Sequence, residues 1–143
     1  MRYPKNIIVD TGFWIAYFDP KDSNHNNANE CSEFIFNFSV LCPFPTLYEF
    51  LNTRFSRNQK QIVEFNRLVK KNILNFIYDD DYRENILYDF IDENKYFSKF
   101  SLVDMIINRM IDDTNLKVDY LFTYNKKDFI DICNKRKIEV LPE

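Results

Sequence analysis

Glycine is almost missing from this chain: Gly12 is the only one in 143 residues, and there are five prolines. Such a composition argues against low-complexity or disordered sequence. Histidine is equally scarce, with His25 alone. Ser/His and Cys/His triads and histidine-rich metal sites therefore have little support, and acid–base or metal chemistry must rest mainly on carboxylates. The three cysteines, Cys31, Cys42 and Cys133, are odd in number and far apart, and none forms a CxxC pair. Neither a disulfide framework nor a zinc site is suggested, and buried free thiols in a reducing cytoplasm are the expectation. No apolar run approaches the ~18 residues of a membrane span. No secretory leader is expected either, because Met1 to Lys5 leads into too short an apolar stretch. Excess positive charge is also absent: the net charge is −3, so the chain as a whole is not a basic nucleic-acid binder.

What is present is core-forming material. The chain is 45% hydrophobic and 17% aromatic, and its length suits one domain spanning 1–143. Charge is unevenly spread. Residues 51–72 carry Arg54, Arg57, Lys60, Arg67, Lys70 and Lys71 against Glu64. Residues 79–94 carry seven acids against Arg83. Such runs ordinarily form solvated helix faces, although a basic patch beside a carboxylate site would suit a polyanionic substrate.

The segment Ile7-Ile8-Val9-Asp10-Thr11-Gly12-Phe13-Trp14 organises the reading. Apolar, β-branched residues run into an aspartate, and a Thr-Gly turn leads into an apolar helix. This predicts a buried parallel strand with Asp10 just past its carboxyl end, where open α/β sheets bind ligands. Gly12 would let the backbone turn or approach closely there. Asp10 could equally be a helix N-cap.

Further along, helices are predicted from Ser23 or Asn24 to about Phe38, from Thr46, from Asn58 or Gln59, from about Tyr82 to Tyr96, from Ser101, and over about Lys127 to Asn134. Ile86, Leu87, Phe90 and Ile91 are expected to face inward. Strands are predicted at 40–42, 73–78, 120–122 and 138–141. This alternation predicts one parallel α/β sheet with helices on both faces.

Thr46-Leu47-Tyr48-Glu49 and Ser101-Leu102-Val103-Asp104 both resemble capping boxes, which would put Glu49 and Asp104 at the third position of their helices. Capping alone would explain either box. Together with Asp10, however, the acids fall where a right-handed wind could bring them to one end of the sheet. Thr123-Tyr124-Asn125-Lys126-Lys127-Asp128 offers a fourth position. Clustered carboxylates without His or Cys suit Mg²⁺ or Mn²⁺, and their usual chemistry is metal-activated water attacking a phosphodiester.

The segments Ile8-Val9-Asp10-Thr11, Thr46 to Leu51, Ser101 to Asp104 and Phe122 to Phe129 together resemble PIN-domain nucleases, particularly the VapC-type toxins of toxin–antitoxin pairs. Asp19 and His25 resemble the loop after that family's first helix. The resemblance spans nearly the whole chain. It implies a single PIN-like domain, a parallel sheet of about five strands ordered 3-2-1-4-5, and metal-dependent cleavage of single-stranded RNA. Carried over by position, Asp10 and Asp104 would be the principal ligands of Mg²⁺ or Mn²⁺, and Glu49 would ligate directly or through water. Asp128 would complete the catalytic acids, or Asn125, which stands where the family often has Asp. Thr11 and Thr123 could orient ligands or waters. Arg54, Arg57 and Lys60 are expected to border the cleft and hold RNA. The resemblance also implies a cytoplasmic protein, a small antitoxin partner and a homodimer.

Other readings are a housekeeping PIN nuclease of RNA processing, a non-catalytic binding module, and a phosphoryl-transfer protein using Asp10 as nucleophile. The last lacks its phosphate-handling groups: Gly12 stands where a dehalogenase-like phosphatase has a second Asp, and Lys5-Asn6 is no acidic pair. His25 is read as a loop contact. Trp14 and the aromatics at 34, 36, 38, 50 and 55 are read as core or an oligomer face.

Overall fold

A computed structural model describes residues 5–95 and 100–143. Five strands form the sheet: β1 (Asn6–Val9), β2 (Ser39–Pro43), β3 (Leu74–Ile77), β4 (Tyr120–Phe122) and β5 (Glu139–Leu141). Their order is β3-β2-β1-β4-β5, and all neighbours run parallel. Parallel neighbours require crossovers, and helices supply them. These are α1 (Thr11–Phe18) and α2 (His25–Ile35) after β1, and α3 (Phe44–Phe50), α4 (Thr53–Ser56) and α5 (Gln59–Lys70) after β2. Then come α6 (Arg83–Asn94) and α7 (Leu102–Asp112) after β3, and α8 (Ile130–Arg136) after a 3₁₀ turn at Lys126–Asp128. No described helix is long and apolar enough to cross a membrane.

Both sheet faces are covered, so the strands read as continuous apolar runs whose residues part to alternate sides. Ile7, Val9, Val40, Cys42 and Phe122 join Phe13 and Trp14 of α1 in one core. Ile8, Leu41 and Leu121 join Ile107 and Ile111 of α7, Phe129, and Cys133 of α8 in the other. The first core is aromatic: Trp14 lies face to face with Phe50 at 5.8 Å and edge-on to Phe13 at 5.0 Å.

Some local expectations are corrected. The helix after Asn24 ends at Ile35, short of Phe38. The helix expected at Lys127–Asn134 splits into the 3₁₀ turn and α8. Tyr96, the predicted end of the helix from Tyr82, lies outside the described residues. Ile86 of α6 is buried, but Leu87 is 45% and Ile91 50% exposed. α6 packs against α7, where Ile86 joins Ile106 and Met110, and Leu87 and Ile91 stay open to solvent.

Gly12 also proves different. It sits inside α1 without positive φ, so no left-handed turn requires it. A Cβ there would meet the Tyr124 ring at 3.7 Å, an ordinary contact. Gly12→Ala is therefore expected to stabilise the fold by about 0.5 kcal/mol, because alanine loses less backbone entropy in a helix. Thermal melting checks this; a clear fall in Tm would show that Tyr124 cannot accept the methyl group.

Candidate active site

Asp10 follows β1 directly, and its backbone N–H donates to the Phe122 carbonyl at 3.0 Å, extending the β1–β4 pairing. The side chain caps α1, accepting the Thr11 backbone N–H at 2.7 Å. The other carboxylate oxygen accepts the Thr123 hydroxyl at 2.9 Å, and Thr123 Oγ1 accepts the Asn125 backbone N–H at 3.0 Å. Asp10 is only 8% exposed. That burial raises its pKa, the Thr123 and Thr11 bonds oppose the rise, and the charge of Asp128 adds to it.

Glu49 reaches the same end of the sheet by a different route from the one its motif suggested. α3 starts at Phe44, with Pro43 at its N-cap and Pro45 within its first turn. A proline there loses nothing, because the first-turn N–H groups are unpaired anyway. Thr46 is therefore no cap: its buried hydroxyl donates to the Pro43 carbonyl at 2.7 Å. Glu49 lies in the last turn of α3, where the helix dipole disfavours a carboxylate. Capping thus cannot account for Glu49. Its Oε1 instead accepts the Thr11 hydroxyl at 2.6 Å, joining α3 to the start of α1.

Asp104 does occupy the third position of its helix. Ser101 caps α7 by accepting the Asp104 backbone N–H at 3.0 Å. The Asp104 pKa is pushed up to about 6, first by burial, then by the charge of Asp10; a hydrogen bond from the Ser101 side chain to the carboxylate opposes the rise, and Asp128 and Glu49 add further repulsion. Asp128 ends the 3₁₀ turn and accepts the Asn125 side-chain amide. Asn108, a residue the sequence did not single out, donates to the backbone carbonyls of Asp104 at 2.9 Å and Asp128 at 3.3 Å. Its place one helical turn after Asp104 was the available signal.

At the carboxyl edge of the sheet, Asp104 therefore feels the charges of Asp10, Asp128 and Glu49, and Asp10 feels that of Asp128. Among the described residues, however, no three His, Cys, Asp or Glu side chains already form a ligand set for one ion. The hard oxygens of these acids are the donor type that Mg²⁺ and Mn²⁺ take, and a cation among them would relieve the repulsion acting on Asp104.

The basic residues are placed differently from the acids. Arg54 lies 4.0 Å from Asp19, the C-cap of α1, and so sits at the opposite end of that helix from Asp10. It lines a cavity of about 330 Å³ with Trp14, Phe18, Phe50 and Phe55. Arg57 and Lys60 are exposed nearby in the chain. The cations adjacent to an acid of the cluster are Lys126 and Lys127, one turn with Asp128. His25 is a loop contact: Nδ1 donates to the Ala16 carbonyl at 2.7 Å, and Nε2 accepts the Asn29 amide at 2.8 Å.

No protein-family model matches the sequence, and no curated protein does. A solved structure that does match is the crystal structure of Mycobacterium tuberculosis VapC20, described as a sarcin-ricin loop cleaving toxin. The superposition has a TM-score of 0.65 and covers 87% of this chain and 94% of that one, at 16% sequence identity. At that identity the likeness speaks for architecture. The chain has a PIN-like α/β fold, with five parallel strands in the order 3-2-1-4-5 and helices on both faces.

Proposed function

We propose that this protein is a divalent-metal-dependent endoribonuclease that hydrolyses phosphodiester bonds in single-stranded RNA, and that it works in the cytoplasm as the toxin of a toxin–antitoxin pair. The observation that carries this reading is the placement of the acids beyond the carboxyl ends of the strands: Asp10 held by Thr11 and Thr123, Glu49 held by the Thr11 hydroxyl, and Asp104 close enough to feel the charges of Asp10, Asp128 and Glu49. Asp10 and Asp104 would hold Mg²⁺ or Mn²⁺, with Glu49 and Asp128 binding it directly or through water. The bound cation would lower the pKa of water and neutralise charge on the leaving oxygen.

The chain's own groups do the positioning. Thr123 and the Thr11 backbone fix both oxygens of Asp10, and each oxygen keeps a further lone pair. The Thr11 hydroxyl aims Glu49. Asn125 would hold Asp128 in place through its side-chain amide, in a supporting part. Arg54, Arg57 and Lys60 would hold RNA backbone beyond the acids, past the far end of α1. A small antitoxin and a second copy of the chain are the partners this reading brings. The test is cleavage of RNA with added Mg²⁺ or Mn²⁺ against an EDTA control; cleavage that ignores EDTA, or none with any RNA, would sink it.

The second reading is a PIN-fold module that binds without cutting. Asn125 favours it, since an amide stands where a carboxylate would strengthen the site. RNA binding unaffected by metal, without cleavage, would support this reading.

The basic residues give a separate expectation. Changing Arg54 and Lys60 together to Ala is expected to weaken RNA binding and flatten its salt dependence, by about 0.7 in log–log slope per lost phosphate contact. Metal affinity should be unchanged. An unaltered slope would leave these residues as a solvated face or a partner surface.

A further inference from the structure

Phe44, Tyr48 and Tyr78 form an aromatic group at the same edge of the sheet; Phe44 packs against the first core, but neither the core nor the acidic cluster accounts for the two exposed tyrosines. Phe44 and Tyr48 lie one turn apart on α3, and Tyr78 follows β3 directly. The Phe44 ring stacks on Tyr78 at 5.3 Å with an interplanar angle of 25°, and meets Tyr48 edge-on at 5.6 Å and 72°. Phe44 is anchored in turn against Phe76 of β3 at 6.4 Å. The two tyrosines nevertheless remain 75% (Tyr48) and 63% (Tyr78) exposed. Large aromatic faces are thus held in fixed orientation while open to solvent, so a flat ligand could settle on them at little further entropic cost.

Position and charge narrow the occupant. Tyr48 immediately precedes Glu49, and β3 lies two strands from β1, about 10 Å across the sheet. A strand of RNA lying over the acids would reach these rings within a short stretch of backbone. Asp79, Asp80 and Asp81 follow Tyr78, with Asp80 paired to Arg83 at 2.6 Å. That acidic surround repels phosphates but leaves a neutral base unopposed. We infer that Phe44, Tyr48 and Tyr78 are a stacking subsite for a nucleobase of the single-stranded RNA substrate, set to one side of the phosphate that is cut. The inference rests on the nuclease reading above, and stacking of this kind tolerates any base because every base has a π-face.

The test uses the full chain carrying Asp104→Asn, in Mg²⁺, with a short fluorescein-labelled single-stranded RNA of mixed sequence and anisotropy as the readout. Tyr48→Ala and Tyr78→Ala are each expected to weaken binding about tenfold. The salt slope should stay as it was, since no phosphate contact is lost. Tyr48→Phe and Tyr78→Phe keep the ring and should keep the affinity. Both side chains are exposed, so the fold survives these changes. Alanine variants that bind like their parent would overturn the inference, as would phenylalanine variants as weak as alanine. A change in sedimentation without a change in RNA binding would overturn it too, by marking a face between copies. Wild-type cleavage in Mg²⁺ separates the failures. If cleavage is present and the alanine variants bind normally, only the stacking subsite falls. If wild type neither cleaves nor binds RNA, the nuclease reading falls with it.

Discussion

Asp104→Asn is expected to remove most RNA cleavage and to raise the melting temperature of the metal-free protein. The cap of α7 uses the backbone N–H of residue 104, so it survives the change. What goes is a charge that the fold disfavours: the Asp104 carboxyl titrates near 6 because it is partly buried and faces Asp10, Asp128 and Glu49. A folded pKa above the unfolded value means that the native state holds the proton more tightly. The protonated form is therefore no burden below pH about 4, and the cost of ionisation grows as pH rises through about 6. Unscreened, the rise to about 6 would be worth about 3 kcal/mol. The side chain is partly open to solvent, so about 1–2 kcal/mol is the better expectation. The Tm advantage of the variant should open between pH about 4 and about 7 and then level off. Cleavage should fall by about 10²–10³ or more, because Asp104 would help hold the cation that stabilises transition-state charge. Equal cleavage by variant and wild type would point to a contaminating nuclease.

Phe122→Ala is expected to damage the fold severely. Phe122 is fully buried in β4, edge-on to Phe13 at 5.2 Å and to Tyr124 at 5.3 Å. Its loss should cost about 3–5 kcal/mol, from lost burial and from the cavity left between α1 and the sheet. Against a whole stability of about 5–15 kcal/mol, that brings the chain close to unfolding. Urea denaturation should show a much lower midpoint with an unchanged m-value. Phe122→Leu should lose far less; if the two variants match, the aromatic contacts with Phe13 and Tyr124 contribute little. The position also bears on the site, because the Phe122 carbonyl accepts the Asp10 N–H and the next residue clasps the Asp10 carboxylate.

The sheet was legible because parallel strands buried on both faces leave unmistakable runs, such as Ile7-Ile8-Val9, and because crossovers have one hand. Placing the acids near one edge followed from that topology. Their roles await the cleavage assay. The start of α3 was harder to read. Thr46 and Glu49 have the spacing of a capping box, but Pro43 and Pro45 draw the helix start back to Phe44. The exposure of Leu87 and Ile91 was also hidden, since helical periodicity marks an apolar stripe without saying what lies opposite. The contact between Asn125 and Asp128 needed side-chain geometry: the amide of one donates to the carboxylate of the other. The position of Arg54 depended on α4, a four-residue helix too short to leave a periodic pattern.

The cysteines offer a way to watch the two sides of the molecule separately. Cys42 lies wholly buried in the core beneath α1, and Cys133 wholly buried in the core beneath α7. Burial pushes both thiols up to about 11, so neither is a reactive thiolate while the layers stay closed. Each can be alkylated only when its own layer opens. With Cys31 changed to Ser, peptide mapping of the labelled protein over time becomes a pair of clocks, one for each side of the sheet. Clocks that run together mean that the two cores open as one cooperative unit. If Cys133 runs ahead, the layer carrying Asp104 breathes on its own, and the edge that gathers the four acids is hinged on one side and rigid on the other.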